Sequence, residues 1–82
     1  TSSMAKALAP EVRVNAVSPG FTKTKMTGQR SKQHKQKMAD QTLLKRIAEP
    51  EEIAEIIFIL CASGSYITGE TINVNGGNGY IY

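Results

Sequence analysis

One short run of the sequence, Val-Arg-Val-Asn-Ala-Val-Ser-Pro-Gly-Phe-Thr-Lys-Thr, constrains the fold more than any other. Its alternation and its β-branched residues predict a strand from Val12 to Val17. Pro19 and Gly20 end that strand, because proline donates no ladder hydrogen bond and glycine tolerates backbone angles that other residues avoid. Hydroxyl groups and backbone amides follow the turn. Ligands of α/β proteins bind at the carboxyl ends of strands, so this turn is the first candidate binding site.

Four further elements are predicted around this strand. Good helix formers run from Ser3 to Leu8, and helix-compatible residues span Ser31 to Leu44. A stronger helix begins at Pro50 with acidic residues in its first turn and runs to Ser63, before a glycine. The last strand covers Glu70 to Val74. A strand, a helix and a second strand form a βαβ unit, which predicts parallel neighbours in an α/β fold.

The helix that begins at Pro50 carries more apolar residues than one packed face requires. Its stripe at i, i+3, i+4 and i+7 consists of Ile53, Ile56, Ile57 and Leu60. Phe58 and Ile59 lie off that stripe, so we expect this helix to be covered on more than one side. Two strands alone do not form a stable sheet in water, and 82 residues bury only about 60% of their unfolded surface. We therefore expect contacts with another chain or with further protein.

The composition limits the classes of protein to which this chain can belong. The longest apolar run, from Ile56 to Ala62, is too short for a membrane span, so we expect no membrane partner. The single cysteine, Cys61, permits no internal disulfide, which suits a cytoplasmic location; we expect it to be packed rather than reactive. One histidine, His34, provides no metal-binding set and is expected to be a solvated side chain.

The segment 23–46 is basic. It holds eight of the 10 lysines and arginines of the chain and a single acid, Asp40. Three interpretations remain open: a solvated flexible lid, a lid that attracts an acidic or phosphorylated substrate, and a nucleic-acid surface. The last is disfavoured because the segment lacks interleaved aromatic residues and any known nucleic-acid motif.

Four motifs in order, spread over nearly the whole chain, resemble one family. They are Met4-Ala5-Lys6-Ala7-Leu8-Ala9-Pro10 with Val12-Arg13-Val14-Asn15-Ala16-Val17-Ser18-Pro19-Gly20, then Arg46 with Pro50-Glu51-Glu52-Ile53-Ala54, then Tyr66-Ile67-Thr68-Gly69, and finally Val74-Asn75-Gly76-Gly77. Together they resemble the C-terminal part of short-chain dehydrogenase/reductases, and in particular its 3-oxoacyl-ACP reductase-like members. Ala48 and Asn75 depart from the family, which often has Gly and Asp there. The resemblance implies an α/β fold: the C-terminal βαβ portion of a Rossmann-type doubly wound parallel sheet.

The resemblance also implies a role for the turn. The cofactor would be NAD or NADP, and the substrate a small molecule with a carbonyl or secondary alcohol. Segment 23–46 would be the substrate-binding lid and the most mobile part of the chain. The residues implied to bind the cofactor are Pro19, Gly20, Thr22 and Thr24, and those implied to bind substrate are Phe21 and Met26. Thr22 would act through its backbone on the carboxamide, and the Thr24 hydroxyl would reach the cofactor phosphates.

The catalytic set of the family is missing. It uses Tyr-x-x-x-Lys with a serine, but Tyr66 is followed four places later by Glu70, and no Gly-rich phosphate loop precedes a helix. No catalytic residue is therefore assigned. Residues 1–82 are interpreted as a C-terminal fragment of one NAD(P)-binding domain, inactive by itself. The expected partners are the remainder of that domain and a second copy, bound through residues 50–63 and 71–74.

Two other classes of function remain open. The chain could be a non-catalytic remnant that acts as a self-association or structural module, because its apolar helix and sheet edge lack partners. It could also be a small anion-binding or nucleic-acid-binding protein. Upstream sequence with a Gly-rich loop and a Tyr-x-x-x-Lys motif would favour the dehydrogenase.

Overall fold

The architecture follows from a computed structural model that describes residues 1–79. The elements in chain order are α1 (Ser2–Leu8), β1 (Ala16–Pro19), α2 (Lys25–Gly28), α3 (Lys32–Asp40), α4 (Pro50–Ala62) and β2 (Thr71–Val74). β1 and β2 pair in parallel, with Ala16 opposite Thr71 and Pro19 opposite Val74. α4 packs against β1. The predicted βαβ unit and the α/β fold class are confirmed.

The first strand starts later than predicted and includes the proline. The amides of Ala16 and Gly20 donate to the carbonyls of Glu70 and Val74, at 2.9 and 3.0 Å. The two-residue period of the strand turns the nitrogen of Pro19 away from β2, so its missing N–H breaks no ladder bond. The prediction of a strand from 12 to 17 was wrong at both ends, because side chains bond the backbone that precedes Ala16 and because the pairing with β2 continues through Pro19.

Side chains replace the ladder before β1. The Val14 amide donates to the Thr68 hydroxyl at 3.1 Å, and the Asn15 side-chain amide donates to the Ile67 carbonyl at 2.9 Å. Arg13 also donates to that carbonyl, at 3.1 Å, and to the Leu60 carbonyl at 2.9 Å. A cation near the C-terminus of a helix satisfies carbonyls that have no partner within the helix. Arg13 and Asn15 thereby join the end of α4 to the start of the sheet.

The helices inside the basic segment differ from the prediction. α3 ends at Asp40 rather than Leu44, because the buried Thr42 hydroxyl donates to the Ala39 carbonyl at 2.8 Å and Lys45 adopts a left-handed φ of 60°. The short α2 was not predicted. It forms because the Thr24 hydroxyl accepts the Thr27 amide at 3.2 Å as an N-cap.

The core is small. The buried residues among the described ones are Ala5, Ala39 and Thr42. On α4, Phe58 is 71% exposed and Ile59 45%, as expected of residues off the stripe, but Ile57 on the stripe is also 48% exposed. Cys61 is exposed too, so the expectation that it is packed was wrong, because residues 1–79 leave that face of α4 uncovered. No helix in residues 1–79 combines the length and apolarity needed to cross a membrane.

Candidate functional site

The turn after β1 requires a glycine. A Cβ on Gly20 would lie 2.7 Å from Cβ and 2.8 Å from Cα of Asn75, because the backbones leaving β1 and β2 nearly touch there. Real Cβ atoms do not approach backbone that closely, so any side chain would push the two strand exits apart. The close contact places the following residues, Phe21 and Thr22, at the carboxyl edge of the sheet.

The exit of β2 is held by its own hydrogen bonds. The Asn75 side-chain oxygen accepts the Gly77 amide at 3.0 Å, so asparagine orders this turn without the negative charge of an aspartate. The Leu44 amide donates to the Gly76 carbonyl at 3.1 Å. This bond ties the end of the basic segment to the end of the second strand.

The base of the segment 23–46 is closed by a short parallel bridge between Thr22 and Ala48. The Lys23 amide donates to the Ala48 carbonyl at 2.9 Å, and the Ala48 amide donates to the Phe21 carbonyl at 3.0 Å. Lys23 also forms an ion pair with Glu49 at 2.6 Å. The segment therefore leaves and re-enters the fold at one place, and Ala48 serves where a glycine is common in the family.

An ion pair and a cap fix the start of α4 beside that base. The Arg46 guanidinium donates to both carboxylate oxygens of Glu52, at 2.6 and 2.7 Å, and the Glu49 amide donates to Glu52 Oε1 at 2.9 Å. These bonds stabilise the carboxylate, first through Arg46 and then through the Glu49 amide, and lower the pKa of Glu52 from 4.5 to about 2. The same hydrogen bond raises the pKa of Arg46.

Three threonines after the turn form a chain of hydrogen bonds. The Thr27 hydroxyl donates to the Thr22 carbonyl at 3.1 Å and lies 3.0 Å from the Thr24 hydroxyl. Because a hydroxyl has one proton, Thr24 must be the donor to Thr27. The Thr24 oxygen also accepts the Thr27 amide. In this arrangement Thr24 has an acceptor position left, and it can donate to a ligand only after releasing Thr27.

One open cavity of about 630 Å³ joins all six residues that the sequence analysis singled out. Pro19, Gly20, Phe21, Thr22, Thr24 and Met26 line it on one side. The other side consists of residues the sequence analysis missed or set aside: Thr27, Arg30, His34, Met38 and Gln41. The spacing of the last three, i, i+4 and i+7, is that of one helix face, and this periodicity was the available signal. His34 is exposed, as expected, but it faces a cavity.

The lining of this cavity suits a ligand with polar and anionic parts. It includes no aspartate or glutamate and does include Arg30. Within the described part of the chain, the Thr22 amide makes no hydrogen bond and is available as a donor. Phe21 and Met26 add apolar surface, with Met26 70% exposed. Backbone and hydroxyl donors thus lie beside an apolar wall, and among residues 1–79 the lining includes no tyrosine or lysine that could act as an acid or base.

Known proteins with similar sequences indicate the family to which the chain belongs. Residues 1–78 match the family model described as Enoyl-(Acyl carrier protein) reductase. The 3-oxoacyl-(acyl-carrier-protein) reductase FabG of Aquifex aeolicus is 53% identical over 79 residues, which are 94% of this chain and 32% of that protein. Human dehydrogenase/reductase SDR family member 4 is 40% identical over 81 residues, 94% of this chain and 29% of that protein.

A solved structure is also similar. The short-chain dehydrogenase/reductase of Brucella melitensis described as a glucose/ribitol dehydrogenase superposes with a TM-score of 0.86 at 47% identity, over 94% of this chain and 32% of that one. The chain thus spans about a third of the length of the proteins it matches. The parallel βαβ unit and this structural similarity identify the chain as part of a Rossmann-type α/β fold. The chain belongs to the short-chain dehydrogenase/reductase family.

Proposed function

We propose that this chain forms one wall of the cofactor and substrate site of an NAD(P)-dependent oxidoreductase. The observation that carries the proposal is the single cavity that gathers Pro19, Gly20, Phe21, Thr22, Thr24 and Met26 at the carboxyl end of β1. The bound nicotinamide would exchange a hydride at C4 with a carbonyl or secondary alcohol. The whole enzyme would act in the cytoplasm.

In the proposed enzyme, the residues of this chain bind the cofactor and the substrate and orient them. Gly20 lets the two strand exits meet at Asn75 and so fixes the turn that carries the Thr22 amide, which is a free donor for the carboxamide. The Thr24 hydroxyl serves the phosphates by exchanging its bond to Thr27 for one to the ligand. Phe21 and Met26 exclude water from the substrate side, and segment 23–46 is the substrate lid.

The reaction needs groups that other parts of the domain supply. In the described part of the chain, the tyrosine, Tyr66, is fully exposed and does not line the candidate cavity. The acid/base tyrosine, its lysine and the serine must therefore come from the remainder of the dehydrogenase domain. We expect the purified chain to show no NAD(P)H turnover once host reductases are removed, and turnover by the chain alone would contradict this assignment.

A chimera tests the proposed role directly. Residues 1–79 replace the matching third of the Aquifex aeolicus reductase, and the chimera is assayed for 3-oxoacyl-(acyl-carrier-protein) reduction. We expect an active enzyme. Thr24→Asp retains an N-cap for α2 but places a negative charge beside the cofactor phosphates, so the KM for the cofactor should rise roughly tenfold.

Ser65→Asp is the matched control, because Ser65 is an exposed hydroxyl residue that lies outside the cavity and outside the residues expected to form the association surface. The KM of this control should stay unchanged. A folded chimera without activity would favour the alternative class, a self-association module, for which the exposed apolar face of α4 is the supporting observation.

A further inference from the structure

A second pocket lies behind α3, away from the candidate cofactor cavity. Its volume is about 390 Å³, and five cationic side chains line it: Lys23, Lys32, Lys35, Lys45 and Arg46. The remaining lining residues are Gln36, Ala39, Ile47 and Glu49. The cations come from three separate parts of the chain, so the fold rather than a run of sequence brings them together.

The pocket carries more positive charge than its neighbours neutralise. Glu49 pairs with Lys23 and Glu52 pairs with Arg46, and these are the ion pairs found within residues 1–79. Lys45 donates to a backbone carbonyl, that of Asp40, at 3.1 Å. Lys32, Lys35 and Lys45 thus keep their charge without a carboxylate. Like charges at i and i+3 on one helix repel each other, and a bound anion would relieve that repulsion.

We propose that this pocket binds a phosphate group, as inorganic phosphate or as part of a small phosphorylated molecule. Ammonium groups are compact charges that bind phosphate from several directions, and here they converge from α3 and from the turn that follows it. No aromatic side chain lines the pocket, so a nucleic-acid base would find no stacking surface. The lining of the pocket therefore fits a phosphate group rather than a nucleic-acid base.

The phosphate would act on α3. Lys32, Lys35 and Ala39 on one face of the helix line the phosphate pocket, whereas His34 and Met38 on an adjacent face line the candidate cofactor cavity. An anion that joins α3 to Lys45 would hold the helix in place as a wall of that cavity. The effect on the cofactor cavity rests on the proposed function, but the phosphate site itself does not. The test of the phosphate site therefore measures binding rather than activity.

Isothermal titration of inorganic phosphate into the 82-residue chain tests the proposal, at constant ionic strength with chloride as the replaced anion. We expect saturable binding. Lys32→Gln and Lys35→Gln should each weaken it about fivefold, which is the effect of one charge contact in water. Lys37→Gln is the matched control, because Lys37 lies on the same helix, has the same charge and lines neither pocket.

Circular dichroism verifies that each variant keeps its helices. If Lys32→Gln or Lys35→Gln loses helix, Lys45→Gln replaces it as the test, because Lys45 lines the same pocket from outside α3. Glucose 6-phosphate and a short oligonucleotide are titrated in the same way, and their affinities are compared with that of inorganic phosphate. Tighter binding of the sugar phosphate identifies a small phosphorylated molecule as the ligand and supports the proposal. Absence of saturable phosphate binding overturns it, as does equal weakening in Lys37→Gln or preferred binding of the oligonucleotide.

Discussion

At the scale of single residues, the contact between Gly20 and Asn75 sets the separation of the two strand exits. Gly20→Ala introduces a methyl group 2.7 Å from Asn75 Cβ, where no space exists. We expect the free energy of unfolding to fall by about 1–3 kcal/mol, the usual cost of overpacking. Urea denaturation of the two proteins measures it.

Gly28→Ala is the matched control for this substitution. Gly28 ends α2, and a Cβ there meets no atom within 4 Å. Alanine at such a site raises stability by about 0.4–1 kcal/mol through the entropy of the unfolded chain. Equal effects of the two substitutions would show that the close strand contact is not a constraint.

The charge of the Glu52 carboxylate should make the stability of the fold depend on pH. Its pKa is depressed to about 2, so its contribution is complete above the ordinary value of 4.5 and disappears as the pH falls through about 2. Glu52→Gln retains a side chain suited to the third position of a capping box but loses the ion pair with Arg46. We expect a lower Tm than wild type at pH 7 and the same Tm near pH 2.

The control for Glu52 is Glu55→Gln, on the same helix and without an ion pair in the described residues. Its Tm should follow the wild type across the whole range. A constant difference between wild type and Glu52→Gln from pH 7 to pH 2 would contradict the assigned pKa.

At the scale of elements, segment 23–46 is not uniform. Its first part consists of α2 and α3, whose side chains are largely exposed and basic. Its second part contains the buried Thr42 and the Leu44 amide that bonds to Gly76. The prediction of a mobile lid therefore applies to α2 and α3, whereas residues 42–46 belong to the base that anchors it.

Hydrogen exchange separates these two parts. We expect the amides of Lys23, Leu44 and Ala48, which bond across the base, to exchange at least about tenfold more slowly than that of Gly28 in α2. The amide of Ile72 within the β1–β2 pair gives the protection of the sheet for comparison. Uniform protection from residue 23 to residue 46 would contradict a lid.

At the scale of the whole molecule, the chain is more extended than its length requires. Its radius of gyration is 15.4 Å, compared with about 12 Å for a compact domain of 82 residues. Its accessible surface is 6251 Å², whereas a compact protein of this mass exposes about 4,800 Å². The excess includes large apolar side chains on α4. Such a surface is typical of a polypeptide that packs against further protein.

We expect the isolated chain to associate, through residues 50–63 and 71–74. Phe58 is 71% exposed, and burying such a side chain is worth about 1.5–3 kcal/mol. Phe58→Ser should therefore weaken association by roughly tenfold or more in sedimentation equilibrium. Tyr66→Ser, which removes another exposed aromatic residue outside these elements, should leave association unchanged. A monomer with cooperative unfolding would contradict this expectation.

The sequence by itself determined the order of the main elements and the location of the candidate site. Periodicity identified α4, and a proline followed by a glycine identified the turn whose neighbours all line one cavity. These features are local: helix periodicity and turn chemistry act within a few residues, so they can be read from the chain.

Only the tertiary structure decided what lies opposite those residues. The start of β1 at Ala16 depends on Thr68 and Asn15 satisfying the preceding backbone, and the end of α3 depends on the burial of Thr42. The second wall of the cavity and the five cations of the phosphate pocket all come from segment 23–46, but the way this segment folds back decides which of its faces meets the turn after β1 and which meets Lys45. Helix periodicity groups the residues of one face, whereas packing between segments decides what that face contacts.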